Sequence, residues 1–251
     1  SAPALVKPLS RIYEKYWGKK DGMAEVKKEF NDFLLSMESD IEKKIREHKD
    51  SLESALCYAR TGNYIDYAAV KDISKEKLLE LFEKQEKSGL DSTEYDRLCQ
   101  DLEKGKKLVY LTDNCGEVVL DKIALKIIRE QYPNLEITAL VRGEPVANDA
   151  DLEAASYIGL DRVVKVMENG SGIGGTDLDD ISDEACHEIE TADVIISKGQ
   201  GNFETIHGCG LNIYYLFLCK CDWFVKRFQA DRFQGLLINE RRITHEENAS
   251  A

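Results

Sequence analysis

The spacing of hydrophobic residues changes near residue 105 of this 251-residue chain. Before that point apolar side chains recur every three or four positions, as at Phe30, Leu34 and Met37, which is the period of an amphipathic helix. Lysine, glutamate and leucine dominate this part of the chain. The pattern predicts an all-helical subdomain over residues 1–104.

Short β-branched runs alternate with helical stretches from Leu108 onward. We predict strands in the following ranges: 108–112, 136–141, 163–167, 193–197, 211–218 and 235–238. Predicted helices lie between them at about 117–131, at about 150–158 and from Ser182. Because parallel strands need crossover connections, this alternation predicts an α/β, Rossmann-like, mainly parallel sheet flanked by helices over residues 105–251. No flexible linker separates it from the helical subdomain, which we expect to pack against one edge of the sheet.

The acidic composition narrows the range of partners. Lys and Arg number 34 against 47 Asp and Glu, a formal net charge of −13, which disfavours non-specific attraction to nucleic acid or anionic lipid. No apolar stretch approaches the roughly 20 residues that cross a bilayer, and the amino terminus has no signal-peptide core. We therefore expect a soluble, cytoplasmic protein with no nucleic-acid or membrane partner, of undetermined oligomeric state.

Seven cysteines are scattered through mostly apolar segments, which is typical of reduced interior thiols. Only Cys219 and Cys221 are closely spaced, on either side of Lys220. With no second cysteine pair or histidine at zinc-finger spacing, this segment lacks the ligand set of a structural zinc site.

Polar side chains follow three of the predicted strands. Asp113 and Asn114 come directly after the first strand, and Arg142 and Asp149 follow the second. Lys198 comes directly after the strand at 193–197. The carboxyl ends of parallel strands meet at one edge of a sheet, so we expect these side chains to share a crevice. Their carboxylate and amide oxygens are ligands that suit Mg²⁺ or Mn²⁺.

The segment that begins at Lys198 suggests a phosphate cradle. Gly199 and Gly201 let backbone N–H groups approach an anion closely, and the lysine adds a positive charge. A metal held by the acidic and amide side chains would leave positions open for a phosphoryl oxygen and a water. Together these features favour phosphoryl chemistry, although strand-end aspartates also cap helices and lysine–glycine turns are common.

The order and spacing of these motifs resemble those of the damage-control metal phosphatases, a former domain-of-unknown-function family with a eukaryotic branch once labelled acidic-residue methyltransferases. The resemblance rests on TDNCGE at 112–117, VRGEPVAND at 141–149 and SKGQGNFE at 197–204. The sequence GNYID at 62–66 resembles the family's amino-terminal helical motif. The resemblance covers about residues 20–240 and is greatest to the stand-alone prokaryotic and archaeal branch, although this chain lacks the cysteine pair that the branch often carries near its amino terminus.

The resemblance implies a divalent-metal-dependent phosphatase that hydrolyses small phosphate monoesters, such as sugar phosphates or phosphopantetheine-like compounds, including damaged metabolites. It implies that Asp113, Asn114 and Asp149 bind the metal, with Mg²⁺ or Mn²⁺ preferred and Co²⁺ or Ni²⁺ as alternatives, and that Lys198 binds phosphate. The other motif positions are candidate catalytic or phosphate-binding residues: Glu117, Glu204, Arg142, Gly199, Gly201, Asn202 and Asn63. The expected partner is a small phosphorylated metabolite.

The attack on phosphorus would come from a water activated by the metal or from Asp113 itself. Haloacid-dehalogenase-like phosphatases place an acid–base aspartate two residues after their nucleophile, whereas position 115 here is cysteine, which disfavours an aspartyl-phosphate route. Glu117 or Glu204 is the general base if either reaches the attacking water. Both are equally well explained as carboxylates that favour the positive end of a helix dipole.

Two further segments carry weaker signals. GSGIGG at 170–175 fits a dinucleotide-binding glycine pattern, but the acidic residues at 177–180 would repel a pyrophosphate, so we expect a flexible loop that could cover a substrate. Asp177 and Asp179 could bind a metal, although a solvated acidic turn is an equally ordinary interpretation.

Two other classes of function stay open. A small-molecule methyltransferase on a similar sheet would place a glycine-rich loop after its first strand, where this chain has Asp113 and Asn114. A non-catalytic module would bind phosphorylated metabolites without turnover.

Overall fold

The computed structural model describes residues 22–62, 64 and 75–243, together with 3, 7–9, 12, 15, 16 and 18. Over these residues the chain forms a set of helices followed by an α/β unit with a six-stranded sheet. None of the helices in this described part is long and apolar enough to span a bilayer.

Five helices precede the sheet within the described ranges: α1 (Ala24–Leu35), α2 (Glu38–Glu47), α3 (Ser51–Gly62), α4 (Lys75–Ser88) and α5 (Ser92–Lys104). The α/β unit follows in the order β1 (Lys107–Leu111), α6 (Glu117–Gln131), β2 (Glu136–Val141), α7 (Leu152–Tyr157), β3 (Lys165–Glu168), α8 (Asp183–Glu190), β4 (Val194–Lys198), α9 (Gly199–Ile206), β5 (Ile213–Leu218), α10 (Asp222–Arg227) and β6 (Gly235–Asn239). Short 3₁₀ helices cover Leu160–Arg162 and Glu240–Arg242.

The strand order of the sheet is β3-β2-β1-β4-β5-β6. Neighbouring strands from β3 to β5 are parallel, and β6 is antiparallel to β5. The predicted α/β, mainly parallel sheet is therefore confirmed. Because the strand order reverses direction between β1 and β4, the loops after these two strands diverge and leave a crevice, which is where open α/β sheets bind ligands.

Strand bounds follow the hydrophobic pattern closely, and the largest differences are two residues, at the starts of β3 and β5. β2 and α6 occupy their predicted ranges. β3 begins at Lys165 rather than at Val163, because the N–H groups of Val163 and Val164 both bond to the carbonyl oxygen of Leu160 in the 3₁₀ turn. These two apolar residues close a turn instead of opening a strand.

Side chains of the central strands alternate between two buried layers, as the two-residue period of a strand requires. In β1, Leu108 and Tyr110 join the layer that contains α3 and α6. Val109 and Leu111 join the opposite layer, which contains Phe203 of α9. Both faces of the sheet are therefore covered, and the ends of the strands remain for polar chemistry.

Helix α3 connects the helical part to the sheet, because it packs against both α6 and β5 and shares their hydrophobic core. Its last residue, Gly62, lies so close to α6 that a Cβ there would come within 3.2 Å of the Cα of Glu117. The predicted subdomain boundary after residue 104 falls between α5 and β1. The helical part thus reaches the strand ends at which the candidate site lies.

Candidate active site

The loops after β1 and β2 are joined by backbone hydrogen bonds. Asn114 and Asp149 form an antiparallel bridge, the Cys115 N–H donates to Asn148 O at 2.8 Å, and the Ala150 N–H donates to Asp113 O at 2.8 Å. These bonds bring together side chains that are far apart in sequence. The structure thus brings Asp113, Asn114 and Asp149 together at this edge of the sheet, as predicted.

Helix α1 fixes the turn that carries these side chains. Gly116 has a φ of +79°, and a Cβ there would come within 3.1 Å of Phe30 Cβ. The Gly116 N–H donates to Asn31 Oδ1 at 2.6 Å, and Asn31 is buried. A residue of the amino-terminal part therefore holds the turn from Asp113 to Glu117.

Arg142 lies between Asp113 and Asp149, which are called here the aspartate pair. Its Nε donates to Asp149 Oδ2 at 2.6 Å, and its Nη2 lies 3.5 Å from Asp113 Oδ1. Its Nη1 donates to Asn202 Oδ1 at 3.1 Å. The guanidinium is 2% exposed, so its charge is directed to these carboxylates rather than to solvent.

One arginine does not balance the charge of the aspartate pair. Burial, together with the charges of Asp149 and Glu117, raises the pKa of Asp113 to about 8. Burial also raises the pKa of Asp149, although Arg142 opposes this shift. Burial is the main cause of both shifts, and a cation bound beside the two carboxylates would lower both pKa values.

A second group of charges, called here the lysine cluster, consists of Lys198, Glu117 and Asp121. The Lys198 ammonium donates to Glu117 Oε1 at 2.5 Å, to Asp121 Oδ1 at 2.7 Å and to Ala59 O at 2.9 Å. The hydroxyl of Tyr110 donates to the same Asp121 oxygen at 2.7 Å. All three charged side chains are fully buried, and all three ammonium hydrogens are used.

The pKa values of the lysine cluster reflect this enclosure. Burial lowers the pKa of Lys198, but Asp121 and Glu117 outweigh it and raise the value to about 12. Burial raises the pKa of Asp121 to about 6 although Lys198 opposes this shift. Lys198 therefore stays charged, and a phosphate contact would require it to exchange one of its three bonds. Phosphate binding by Lys198 stays a prediction.

The six ionisable groups of the two clusters carry an excess of negative charge. Four carboxylates face two cations in these clusters: Asp113, Glu117, Asp121 and Asp149 against Arg142 and Lys198. Among these six groups carboxylates thus outnumber cations by two, and Lys27 also acts electrostatically on Asp149. Such a set of carboxylates would attract a divalent cation.

The donor atoms at the turn are of the type that a hard divalent cation binds. Within the described residues no group of three or more His, Cys, Asp or Glu side chains is placed to hold a metal. The predicted ligands are instead two carboxylates and one amide, that of Asn114. Asn114 Nδ2 lies 2.8 Å from Asp113 Oδ2, and a flip of the amide would bring its oxygen to that place. In octahedral coordination with bonds of roughly 2.1 Å, neighbouring oxygens are about 3 Å apart. The spacing of Asp113 and Asn114 therefore fits the predicted metal, and the backbone bridge to Asn114 places Asp149 beside them.

Helix α9 begins at the aspartate pair. Gly199 has a φ of +75°, and a Cβ there would come within 2.0 Å of Asp113 Oδ2. A Cβ on Gly201 would come within 2.2 Å of Gly174 O. The glycines thus permit close packing around the first N–H groups of α9, and a helix terminus of this kind beside the predicted metal ligands suits an anion.

Asn202 connects the parts of the site rather than presenting a free amide. Its Nδ2 donates to Thr112 O at 2.9 Å and to Lys198 O at 2.7 Å. Its Oδ1 accepts from Arg142 and, at 2.8 Å, from the Thr176 hydroxyl. This fully buried side chain therefore fixes β1, α9 and the loop after β3 relative to one another.

The glycine-rich loop at 170–175, expected to be flexible, is instead packed against α9. Ser171 and Ile173 are buried, and a Cβ on Gly175 would come within 2.5 Å of Thr205 Oγ1. Asp177, considered as an alternative metal ligand, accepts the N–H of Asp179 at 3.1 Å as in an ordinary turn. The loop forms one wall of the site, because its small residues allow the close approach.

The remaining predicted residues are less connected to the aspartates. Glu204 is half-buried on α9, burial raises its pKa, and it makes no hydrogen bond or ion pair with another residue that the structure describes. Asn63 lies outside the described residues. Their catalytic and phosphate-binding roles stay predictions.

Sequence reasoning missed four residues that the structure brings to the site. Asp121 had a signal, because it follows Glu117 by four positions and so shares its helix face. Lys220 also had one, because it comes just after the end of β5. Asn31 and Tyr110 had none, since an amide in a helix and a tyrosine in a buried strand are ordinary.

The fold is an open α/β sheet, and its candidate site lies at the carboxyl ends of the central strands. The sequence model of the damage-control phosphatase ARMT1-like domain matches residues 4–235, and the chain belongs to this family. The resemblance found in its motifs is therefore confirmed, and with it a phosphatase role.

Individual relatives agree with the family assignment. The chain is 31% identical over 215 residues to a damage-control phosphatase of Archaeoglobus fulgidus, covering 84% of this chain and 73% of that protein. It is 33% identical over 225 residues to a damage-control phosphatase of Pyrococcus horikoshii, covering 89% and 76%. A crystal structure of a DUF89 family protein from Pyrococcus horikoshii matches with a TM-score of 0.80 and 30% identity, over 90% of this chain and 78% of that one.

Proposed function

We propose that this phosphatase hydrolyses small phosphate monoesters with the help of a divalent cation, Mg²⁺ or Mn²⁺, held by Asp113, Asn114 and Asp149. The observation that carries the proposal is the convergence of Asp113, Asn114 and Asp149, which backbone hydrogen bonds hold together beside the amino terminus of α9. A divalent cation would find oxygen donors of the type it prefers there. A phosphoryl group would then meet both the cation and the helix N–H groups.

When bound, the cation would polarise the phosphoryl group and increase the acidity of a water. The protein side chains orient the groups that would bind the cation. Arg142 holds both carboxylates of the aspartate pair, whichever way the Asn114 amide is oriented. The ligands are thus fixed before the substrate arrives, which reduces the cost of reorganisation during the reaction.

Attack on phosphorus by water is the route that we favour. Cys115 stands where an aspartyl-phosphate enzyme of the haloacid-dehalogenase type has an acid–base aspartate, and burial raises the pKa of this thiol to about 12. It is therefore a poor acid–base group. Asp113 stays the alternative nucleophile, and Glu117 or Glu204 the candidate base.

The family supports the substrate class that we propose. Relatives are named damage-control phosphatases, which supports a small phosphorylated metabolite as substrate. Sugar phosphates and phosphopantetheine-like esters are the classes that we propose to test first. A cytoplasmic location is part of the same proposal.

A phosphate-release assay with Asp149→Ala tests this function. Wild type is assayed on a panel of sugar phosphates and phosphopantetheine with Mg²⁺, Mn²⁺, Co²⁺ or Ni²⁺, and with a chelator. We expect turnover with at least one metal and a loss of at least about 100-fold in the variant, because one metal ligand is removed. The control is Asp179→Ala, which removes an exposed carboxylate of the alternative acidic turn.

Three results would contradict the proposal. Equal turnover by wild type and Asp149→Ala would show that the metal site is wrongly placed. A loss in Asp179→Ala alone would move the metal to the acidic turn. Phosphate release that is no greater than in the chelated control, for every ester and metal, would reject metal-dependent hydrolysis.

The same proteins separate the two alternatives. A non-catalytic module would show phosphate-ester binding by calorimetry but no turnover. A methyltransferase would bind S-adenosylmethionine, which we do not expect because an acidic turn, rather than a glycine-rich loop, follows β1.

A further inference from the structure

Phe233 lies in a β-bulge at the carboxyl end of β5. Cys219, which directly follows β5, accepts from the Phe233 N–H at 2.8 Å, and its own N–H donates to Gln234 O at 2.9 Å. Two residues before β6 therefore oppose one residue after β5, which is the arrangement of a bulge. Bulges are frequent beside active sites, where they change the direction of a side chain.

The backbone of Phe233 has a conformation that favours glycine. Its φ is +65°, in the left-handed region that large side chains rarely adopt and that glycine usually occupies in a bulge of this kind. Such backbone conformations cost free energy and are concentrated at functional sites. A phenylalanine at this position therefore points to a role for its ring.

The ring of Phe233 lines a cavity of about 940 Å³ together with the ring of Tyr64. The two ring centroids are 4.9 Å apart in an edge-to-face arrangement, and Gln85 Nε2 donates to Phe233 O at 3.2 Å. The cavity lies between β6 and the turn that joins α4 to α5. Phe233 is 37% exposed, so part of its ring is open to a ligand in this cavity.

The cavity lies at the same edge of the sheet as the predicted metal ligands. Tyr64 follows Gly62 by two residues, which span at most about 7 Å, and Gly62 is in close contact with α6 at Glu117. On the other side, Gly235 pairs with Leu218, the last residue of β5. Because β5 is parallel to β4, this end of the cavity adjoins the crevice that contains the candidate site.

The alcohol portion of a phosphate ester needs space on the open side of the crevice. A phosphoryl group at the aspartate pair has the buried lysine cluster on its inner side, so the alcohol must extend outward. The volume of the cavity is in the range that is typical of small-molecule sites, roughly 300–1,000 Å³. An aromatic ring in its wall favours a ligand with a flat apolar face.

We propose that Phe233, held by its contact with Tyr64, binds the alcohol portion of the phosphate ester and so determines which esters are hydrolysed. The inference rests on the proposed function and adds to it a residue that contacts the substrate beyond its phosphoryl group. The expected alcohol has a flat apolar face, either an aryl group or the C–H face of a sugar ring.

The test compares Phe233→Ala and Phe233→Gly with Phe233→Tyr. Alanine and glycine both remove the ring, but only glycine is at ease in the left-handed backbone, and tyrosine keeps the ring. Gln229→Gly is the matched control, because Gln229 is exposed, has a φ of +48° in the same loop and is not among the described residues that line the cavity. Thermal unfolding of each variant shows whether it is folded.

The measurements are KM and kcat with Mg²⁺ or Mn²⁺ for sugar phosphates and an aryl phosphate, and the inhibition constant of inorganic phosphate. Phosphate has no alcohol portion and therefore reports on the rest of the site. In Phe233→Ala and Phe233→Gly we expect KM for the best ester to rise roughly 10-fold, as for the loss of an aromatic contact, while the phosphate constant stays unchanged. Phe233→Tyr and Gln229→Gly should match wild type.

Several results would overturn the proposal. An equal rise in the phosphate constant would show that Phe233 supports the whole site rather than the alcohol. A normal KM in Phe233→Gly but not in Phe233→Ala would show that the backbone matters and the ring does not. An unchanged KM in both variants for every ester, or an equal rise in Gln229→Gly, would show that the ring does not contact the substrate.

Failure of the proposed function would be recognised separately. If wild type does not turn over any ester, binding of the same esters is measured by calorimetry with metal present, and weaker binding by Phe233→Ala would still support this inference. An absence of ester binding by wild type would overturn both proposals. Turnover by wild type with an unchanged KM in Phe233→Ala would overturn only this one.

Discussion

The aspartate pair and the lysine cluster lie side by side at the strand ends, but they differ in enclosure. The side chains of the aspartate pair are 11% and 9% exposed, whereas the three side chains of the lysine cluster are fully buried. The Lys198 ammonium donates all three of its hydrogen bonds to acceptors within the protein. The pKa of Asp113, in contrast, is raised to about 8 by burial and by nearby carboxylates. From this difference we infer that the aspartate pair binds the ligand and that the lysine cluster stabilises the fold around it.

The two clusters should therefore respond differently to mutation. Removing one partner of a buried ion pair leaves the other charge without compensation, which destabilises the fold. Removing a carboxylate from a region that already has too many relieves repulsion instead. We expect the aspartate pair to control activity and the lysine cluster to control stability.

The largest effect is expected for Asp113→Asn, which removes charge and keeps shape. Phosphate release should fall at least about 1,000-fold, because a metal ligand and its charge are lost. The free energy of unfolding of the metal-free protein should stay equal or increase at pH 8. Activity assays and urea denaturation measure the two effects. A clear loss of stability would show that Asp113, like the lysine cluster, stabilises the fold.

Lys198→Met should give the opposite pattern, with stability affected first. It leaves Glu117 and Asp121 buried without their cation, so we expect a loss of about 3–5 kcal/mol in the free energy of unfolding. Urea denaturation of metal-free protein measures it, with Lys226→Met as the exposed control. A variant with native stability that has lost only phosphate affinity would show instead that Lys198 faces the substrate.

Much of this arrangement could be predicted from the sequence. Buried strands are recognisable in the sequence as short apolar runs, and the carboxyl ends of parallel strands lie at one edge of the sheet. The proximity of Asp113, Asn114 and Asp149 could therefore be predicted without a structure. The motif at 197–204 likewise indicated where the crevice would lie. Local pattern and topology were sufficient for these residues.

The closure of the lysine cluster could not be predicted in the same way. Lys198 donates to Ala59 O, which is brought there by the packing of α3 on α6, and no local pattern encodes that contact. The loop at 170–175 was misjudged for a related reason, since glycines permit either flexibility or very close packing. Only the position of Thr205 Oγ1, 2.5 Å from where a Cβ on Gly175 would lie, decides between them.

Gly199→Ala tests how closely the two clusters must fit, and its effect should be intermediate. The added Cβ would meet Asp113 Oδ2, and a misplaced ligand should lower kcat/KM about 100-fold. Gly210→Ala is a matched control, because Gly210 has a φ of +76° but no atom within 4 Å of the added Cβ. Both variants should lose about 1–2 kcal/mol of stability from the left-handed backbone. Equal activity in the two would show that Asp113 can move without consequence.

Asn31→Leu should have the smallest effect and shows whether α1 supports the aspartate pair from a distance. The buried Gly116 N–H would lose its acceptor, at a cost of about 1–3 kcal/mol in the free energy of unfolding. Because Gly116 lies in the turn that carries Asn114, metal affinity measured by calorimetry should weaken as well. Asp32→Asn removes an exposed ion pair with Lys28 on the same helix and should leave metal affinity unchanged. If Asn31→Leu lowers stability but binds metal normally, α1 supports the fold and not the ligand turn.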